Sequence, residues 1–184
     1  MKNYIQKYEI LIPLILFIGI GILSRIVDHL PNFTPIVGIT LFIVSIWNRR
    51  FGMLFVILTL FISNLILGYG FDEVQVVVYI SLLFPVLLGK FINRKSSVII
   101  KYVSIVSISI LSSILFYLTT NFAVWLWSGM YEHTLYGLTL CYEMALPFFR
   151  NTFAGDLFSS LLIFGIYDVF LYLKKFYALY YKEV

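Results

Sequence analysis

The chain alternates long apolar runs with short polar, proline- or glycine-containing breaks, and this alternation most restricts what it can fold into. A helix needs roughly 20 apolar residues to cross about 30 Å of hydrocarbon, and a shorter helix suffices where its neighbours shield it. The runs cover residues 9–27, 35–47, 52–67, 74–92, 98–118 and 156–173. We therefore predict an all-α polytopic membrane protein with six transmembrane helices, in which residues 1–184 form a single integral membrane domain.

The composition agrees with a bilayer environment. Only 12% of the 184 residues are charged, whereas an average soluble domain has about 25%. The first apolar run continues into Asp28 and His29 without the small-residue cleavage site of a secretory signal, so we expect this segment to be retained. The single cysteine, Cys141, excludes an internal disulfide and any metal site built from several thiolates.

The basic residues predict how the chain is oriented in the membrane. If the chain has six spans and both termini are cytoplasmic, only Arg25 and Arg150 lie on the outer side, as the positive-inside rule requires. The other eleven are Lys2, Lys7, Arg49, Arg50, Lys90, Arg94, Lys95, Lys101, Lys174, Lys175 and Lys182. We expect a multi-pass protein of the cytoplasmic membrane whose basic charge faces anionic lipid, with no nucleic-acid partner.

Two polar segments at the predicted outer face contain candidate binding residues. Arg25 and Asp28 are three positions apart in the last turn of the first run, so they share one helix face. We expect Arg25 to pair with Asp28, Glu143 or Asp156, or with a ligand. In the following segment, HLPNFTP, the side chains of Asn32 and Thr34 either cap the next helix or bind a ligand.

Residues 120–156 combine many aromatic side chains with charged ones, which is typical of neither a linker nor a simple span. We predict a long ordered outer loop before the last helix, forming a lid and one wall of an outward pocket. Its 135–149 part is expected to be a short re-entrant or interfacial helix that ends at Pro147. Asn151 or Thr152 would then cap the last span.

The aromatic side chains of this stretch, including Trp125 and Tyr131, fit either an interfacial belt or a stacking surface for a flat ligand. Arg150 is costly near the membrane unless a carboxylate or an anionic ligand pairs with it. Within the last run, Asp168 lies within reach of Lys174 or Lys175.

The fifth run contains serines at positions that predict a face for close helix packing. They are Ser104, Ser107, Ser109, Ser112 and Ser113. The chain has no HExxH motif, nucleophile elbow, phosphate-binding glycine loop or cysteine cluster. We therefore expect no catalytic residues, no metal site and no cofactor, and predict that the protein is not an enzyme.

Three segments, LSRIVDHLPNFTP, TNFAVWLWSGMY and LPFFRNTFAGDL, occur in this order between apolar runs. Together they resemble a family of small bacterial membrane proteins of uncharacterised function, over residues 24–165. That family is in turn similar to the substrate-binding S components of energy-coupling-factor (ECF) vitamin transporters, which implies six helices and a ligand pocket that opens outward beneath long loops. The polar positions that match are Arg25, Asn32, Thr34, Asn121, Trp125, Tyr131, Arg150, Asn151 and Asp156; Asp28 completes the predicted substrate-binding set.

Two positions depart from the pattern. Related chains tend to have Ser-Asp where this one has Ser63-Asn64, so an ionised group is missing there. S components that dock on a shared energising subunit usually have small residues four apart in the first helix, whereas Gly19 and Gly21 are two apart. The partner is then an energising transporter module of another kind, a second copy of the chain, or none.

The resemblance implies a function in uptake. We expect the protein to bind a small nutrient, a vitamin or its precursor, on the extracytoplasmic side of the bacterial inner membrane and to move it inward. The alternatives are a non-transporting membrane scaffold, whose polar residues only lock helices together, and an intramembrane enzyme.

Overall fold

The structure is a computed structural model that describes residues 2–180, with the side chains of residues 10–179. Over that range the chain is all-α and contains no strand, which confirms the predicted fold class at this level. Its helices are α1 (Lys2–Ile26), α2 (Ile36–Ile46), α3 (Arg49–Leu67), α4 (Glu73–Leu88), α5 (Val98–Trp127) and α6 (Leu135–Tyr180). A 3₁₀ turn, Gly89–Phe91, follows α4. Of the residues used for orientation, Lys182 and the side chains of Lys2 and Lys7 lie outside the described part.

Four helices are long and apolar enough to cross a membrane: α3, α4 with its following turn, α5 and α6. In α1 the described apolar segment is Ile10–Ile26. The 11 residues of α2 give a length of about 16 Å, roughly half the thickness of the hydrocarbon layer. The 46 residues of α6 give about 69 Å, far more than one span requires.

Several helix ends follow directly from local sequence. The Asn48 side chain accepts hydrogen bonds from the backbone of Arg50 and Phe51 at 2.9 and 3.3 Å, so it caps the start of α3. Asp72 caps α4 in the same way, accepting from the Gln75 backbone at 2.7 Å. Gly68 ends α3 with a φ of 72°, a left-handed conformation that glycine adopts without steric cost.

The short helix α2 forms the centre of the bundle. Residues 36–44 are all buried, and α2 contacts α3, α4, α5 and α6. Its Phe42 ring packs edge-to-face on Phe164 and Tyr167 of α6, with centroids 5.5 and 5.2 Å apart. At Gly38 the two backbones come so close that a Cβ would lie 2.5 Å from Ser159 Oγ and 2.6 Å from the Ser160 nitrogen.

Helices α5 and α6 form an antiparallel pair held by polar contacts. Ser109 donates to Ser160 Oγ at 2.8 Å, and Ser113 donates to Asp156 Oδ2 at 2.6 Å. The two contacts are four residues apart on α5 and four residues apart on α6. The antiparallel helices therefore keep a constant register over this part. Ser112 is buried in the same region, whereas Ser107 is exposed, so the predicted packing face is confirmed for the serines at 109, 112 and 113.

The same register continues to an ion pair between Lys101 and Asp168. The hydroxyl of Tyr102 also donates to Asp168 Oδ2, at 2.9 Å. Lys101 is only 8% exposed although it is charged. The predicted partners of Asp168, Lys174 and Lys175, were wrong: a lysine on the neighbouring helix packs closer than one on the same helix that extends away from the bundle.

The predicted long loop over residues 120–156 is also wrong. Helix α5 continues to Trp127 and α6 begins at Leu135, so the connection is only residues 128–134. The expected helix over 135–149 exists, but it is continuous with the last helix and does not end at Pro147. Proline removes one backbone donor and leaves the carbonyl four residues earlier without its helical partner, a local cost that the continuous helix tolerates.

Since Asn151 and Thr152 lie inside α6, neither caps a helix. The Asn151 amide donates to the Pro31 carbonyl at 3.0 Å, and the Thr152 hydroxyl donates to the Phe148 carbonyl at 3.0 Å. Capping of α2 by Asn32 or Thr34 was wrong too, because α2 starts after Pro35 without any side-chain cap.

Gly38→Ala is expected to destabilise the protein by about 1–3 kcal/mol, because the added methyl group overpacks the contact between α2 and α6. The measurement is the thermal unfolding midpoint of the purified protein in detergent. Gly19→Ala is the matched control, since a Cβ at Gly19 meets nothing within 4 Å. Equal midpoints for the two variants would show that α2 and α6 are not in close contact.

Lys101→Met is expected to cost about 2 kcal/mol, because it leaves the carboxylate of Asp168 without its cation. This loss of stability is smaller than that for breaking a fully buried ion pair, because solvent reaches the Asp168 side chain, which is 34% exposed. The double variant Lys101→Met, Asp168→Leu should recover much of the loss, as measured by urea or thermal unfolding. Losses that simply add would contradict a direct interaction between the two side chains.

Candidate binding cavity

A cavity of about 630 Å³ lies at the end of the bundle where α1 and α3 end and α2 and α4 begin. All six helices contribute to its lining. Its floor includes Ile36 and Val37, the first residues of α2, and its rim includes the exposed residues Asp28, His29 and Tyr69. The cavity therefore lies above the start of the short central helix and is open to solvent at that end of the bundle.

One side of the cavity is organised by a chain of hydrogen bonds between three helix ends. The Arg25 Nη2 at the end of α1 donates to Asn64 Oδ1 at 2.7 Å, and the Asn64 Nδ2 donates to Gln75 Oε1 at 3.1 Å. Arginine only donates, so the amide oxygen of Asn64 must face it and the amide nitrogen is left for Gln75. Asn64 is only 2% exposed, so this chain fixes the relative position of α1, α3 and α4.

The protein partners predicted for Arg25 were wrong. Among the described residues, the guanidinium makes no ion pair with Asp28, Glu143 or Asp156. Its Nε is buried and has no hydrogen-bond partner there. Arg25 is thus a half-buried cation that lines the cavity and whose protein acceptor is a neutral amide.

The α6 side of the cavity contains Asp156. This residue is 3% exposed and accepts the Ser113 hydroxyl, and it lines the cavity from α6. The preceding Gly155 lets the 31–35 segment approach α6, since a Cβ there would lie 3.1 Å from the Thr34 nitrogen. Ser113 therefore orients the carboxyl of Asp156, and the 31–35 segment lies against the backbone of α6 beside it.

Aromatic side chains form the wall between α5 and α6. The rings of Tyr117 and Phe149 lie 4.6 Å apart with an angle of 38° between their planes. The Tyr117 hydroxyl donates to the Tyr142 carbonyl at 2.7 Å, which orients its ring. Thr120 and Asn121 follow on the same face of α5 and also line the cavity.

Beside this wall the register of α5 and α6 changes. Ser113 contacts Asp156, and the Asn121 carbonyl contacts Cys141 Sγ at 3.4 Å. Between these contacts α5 advances eight residues, about 12 Å, whereas α6 covers fifteen, about 22 Å. The additional length of α6 contains Pro147 and supplies the cavity-lining residues of this helix, so the change of register accompanies the cavity.

The structure brings six of the ten sequence-predicted site residues to one cavity, and four lie elsewhere. The six are Arg25, Asp28, Asn32, Thr34, Asn121 and Asp156. Of the others, Trp125 donates from Nε1 to the Glu132 carbonyl at 2.9 Å and holds the 128–134 connection. Tyr131 belongs to that connection.

Arg150 and Asn151 line a separate groove with Leu30 and Phe33 on the outside of α6. Arg150 is exposed, and the described residues provide no ion pair for it. The predicted pairing of Arg150 with a carboxylate of the protein was therefore wrong for the described residues.

Sequence reasoning missed several cavity residues, chiefly Gln75, Tyr117, Thr120 and Thr152. The spacing in the sequence could have indicated two of them, Tyr117 and Thr120. Tyr117, Thr120 and Asn121 are spaced three and four apart, so they share one face if the fifth helix extends past residue 118. The described residues contain no group of three or more His, Cys, Asp or Glu side chains placed to hold a metal ion.

Comparisons with curated proteins and with solved structures found no match. A family model does match, over residues 6–179, which is almost the whole length of the chain. The protein therefore belongs to the family of unknown function designated DUF6580.

Proposed function

We propose that the protein binds a small nutrient, a vitamin or its precursor, in the cavity at the end of the bundle and moves it across the membrane. The observation that carries the proposal is the convergence of Arg25, Asn121 and Asp156, from three different helices, on one cavity that polar and apolar side chains line in similar measure. Binding sites for small molecules are typically concave and bring together polar groups that fix the orientation of the ligand.

The size of the cavity supports the same proposal. Its volume of about 630 Å³ lies within the range of roughly 300–1,000 Å³ that is typical of small-molecule sites. Its aromatic wall, with Tyr117 and Phe149, offers apolar area to the body of a ligand. A molecule the size of a vitamin would fill this space.

We extend the proposal to six spans, with the cavity open to the extracytoplasmic side and both termini in the cytoplasm. Although α2 is too short to cross the hydrocarbon layer, its burial by neighbouring helices lets it end part-way across without contacting lipid over its length. The end of the bundle with the cavity holds Arg25, whereas Arg49, Arg50, Arg94 and Lys95 fall at the opposite helix ends. That distribution supports an outward-facing cavity.

The first helix would not bind an energising subunit in the way of S components, which have small residues four apart there. Gly21 packs against α3, since a Cβ there would lie 2.8 Å from Thr59 Cγ2. This glycine serves contacts inside the protein and is not free for a partner. We therefore propose that the protein works alone, as a self-associated unit, or with an energising module that binds another surface.

One observation favours a second candidate, a membrane scaffold without transport. The hydrogen-bond chain from Arg25 through Asn64 to Gln75 ties three helices together, as a purely structural role would require. The scaffold candidate predicts that the cavity has no specific occupant. The two candidates therefore differ in a measurable property.

Ala145→Phe is expected to abolish retention of a copurifying small molecule, because the new ring occupies the cavity that Ala145 lines. Ala154→Phe is the matched control, an alanine on the same helix that lines the outer groove instead. The measurement is native mass spectrometry of the purified protein with identification of released small molecules. Because Ala145 is buried, the thermal midpoints of both variants must be recorded to confirm that each is folded.

If folded Ala145→Phe retains the same molecule as the wild type, the cavity is not the binding site. If neither the wild type nor Ala154→Phe yields a specific small molecule, the scaffold candidate replaces the binding proposal.

For orientation, we expect a cysteine at Ser128 to react with a membrane-impermeant thiol reagent in intact cells and a cysteine at Ser96 to remain unlabelled. The reason is the unequal distribution of basic residues. The native Cys141 is first replaced by serine, so that each variant has one thiol. Labelling at Ser96 without labelling at Ser128 would reverse the proposed orientation.

A further inference from the structure

We propose that the ligand of the cavity is an organic anion and that its carboxylate or phosphate group binds to Arg25. This inference rests on the proposed binding function and specifies the chemical class of the ligand. It rests on the positive charge of Arg25 on one side of the cavity and on the neutral Asn64 side chain that faces the Arg25 guanidinium.

No carboxylate of the described residues compensates the charge of Arg25. A guanidinium does not lose its proton in proteins, and a partly buried cation is costly without an anion. The hydrogen-bond acceptor closest to it is the neutral amide of Asn64, at 2.7 Å. No carboxylate of the described residues lies within 4.0 Å of its nitrogen atoms.

The hydrogen-bonding capacity of Arg25 is also only partly used. A guanidinium has five N–H donors in a planar fork that matches an oxyanion. Within the described chain, one bond from Nη2 reaches Asn64, and the buried Nε has no acceptor. An oxyanion delivered by a ligand would supply the missing charge and accept from the remaining terminal N–H groups of the guanidinium, because Arg25 lines the cavity.

The remaining charged groups of the cavity set the orientation of such a ligand. Asp156 lies on the α6 side and repels an anion when it is ionised, while its oxygens accept hydrogen bonds. Asp28 lies on the exposed rim, where solvent screens it. The anionic group therefore points towards the ends of α1, α3 and α4, and an N–H or O–H donor of the ligand points towards Asp156.

Asn64 provides a substitution that tests the charge without changing the shape. Asn64→Asp places a carboxylate where the amide oxygen now lies, next to the Arg25 guanidinium. This internal anion would compensate the cation and compete with a ligand anion. The variant gains an ion pair but loses the amide donor to Gln75, so its thermal midpoint without ligand is measured first, and a loss of binding counts only if the variant is folded.

The experiment uses the purified full-length protein and a low-molecular-weight extract of the cells that produce it. The extract is separated at neutral pH on an anion-exchange resin into a retained and an unretained fraction. We expect the retained fraction to raise the thermal midpoint of the protein by several degrees. Carbodiimide amidation or phosphatase treatment of that fraction should abolish the effect, and the one that does so identifies the group as carboxylate or phosphate.

The variants link this effect to Arg25. Arg25→Gln and Asn64→Asp are each expected to weaken the apparent affinity for the active fraction by at least about 30-fold, since both remove the uncompensated charge. Arg150→Gln is the control, because this arginine is exposed and lines the outer groove instead of the cavity. It should respond like the wild type.

The outcomes separate this inference from the proposed function. Stabilisation by the unretained fraction alone would overturn the anionic ligand and leave the binding function intact. A full response in folded Arg25→Gln would overturn the role of Arg25. Stabilisation by neither fraction would contradict the binding function and, with it, this inference.

Discussion

The contact between α2 and α6 at Gly38 determines how the other helices can be arranged. It brings the backbone of a short, largely apolar helix against the serines of a much longer one. From there α6 binds α5 through Ser160 and Ser109, and α5 binds α4 through a 2.7 Å hydrogen bond between Thr119 and Ser81. Small residues and short polar contacts therefore set the spacing across the bundle, as expected where apolar burial alone distinguishes poorly between packing arrangements.

The same central helix explains why a cavity forms at one end. Because α2 begins only at Ile36, its side chains fill the middle of the bundle below this level and nothing of α2 fills it above. The surrounding helices continue past that level, most of all α5 and α6. The space between them is bounded by helix ends and by the 27–35 segment, where backbone and polar side chains are available. A short central helix is thus sufficient to create a polar-lined cavity in an otherwise apolar bundle.

The apolar runs predicted α2, α3, α4 and the start of α5 closely, since long runs and the glycine at 68 carry direct physical signals, whereas α1 begins seven residues before its predicted span. The region around α6 could not be predicted in this way. Pro147 and the polar residues near it suggested a break. The ring of Tyr142 packs on Tyr117, however, and the Asn151 amide donates to the Pro31 carbonyl, and these contacts stabilise a continuous helix. Local sequence does not contain these contacts.

The site was predictable where residues are polar and close to helix ends, as for Arg25, Asn32 and Asp156. The partner of Arg25 was not predictable, because Asn64 is 39 positions away and a single amide in an apolar helix is a weaker signal than a carboxylate. Arg150 shows the opposite case. Its charge suggested a carboxylate partner or an anionic ligand, but Arg150 lies on the exposed outer face of α6, and the packing of α6 against its neighbours determines that face.

The change of register between α5 and α6 has a consequence for how the family can vary in length. The stretch of α6 from Cys141 to Asp156 is tied to α5 at both ends, so inserting or deleting one residue within it would shift one end by about 1.5 Å and rotate it by roughly 100°. Asp156 or Ala145 would then turn away from the cavity. Only an insertion or deletion of about seven residues, close to two whole turns, leaves the residues at both ends facing the same directions as before. The dimensions of the cavity can therefore evolve gradually by side-chain substitution, but by backbone length only in steps of about two helical turns.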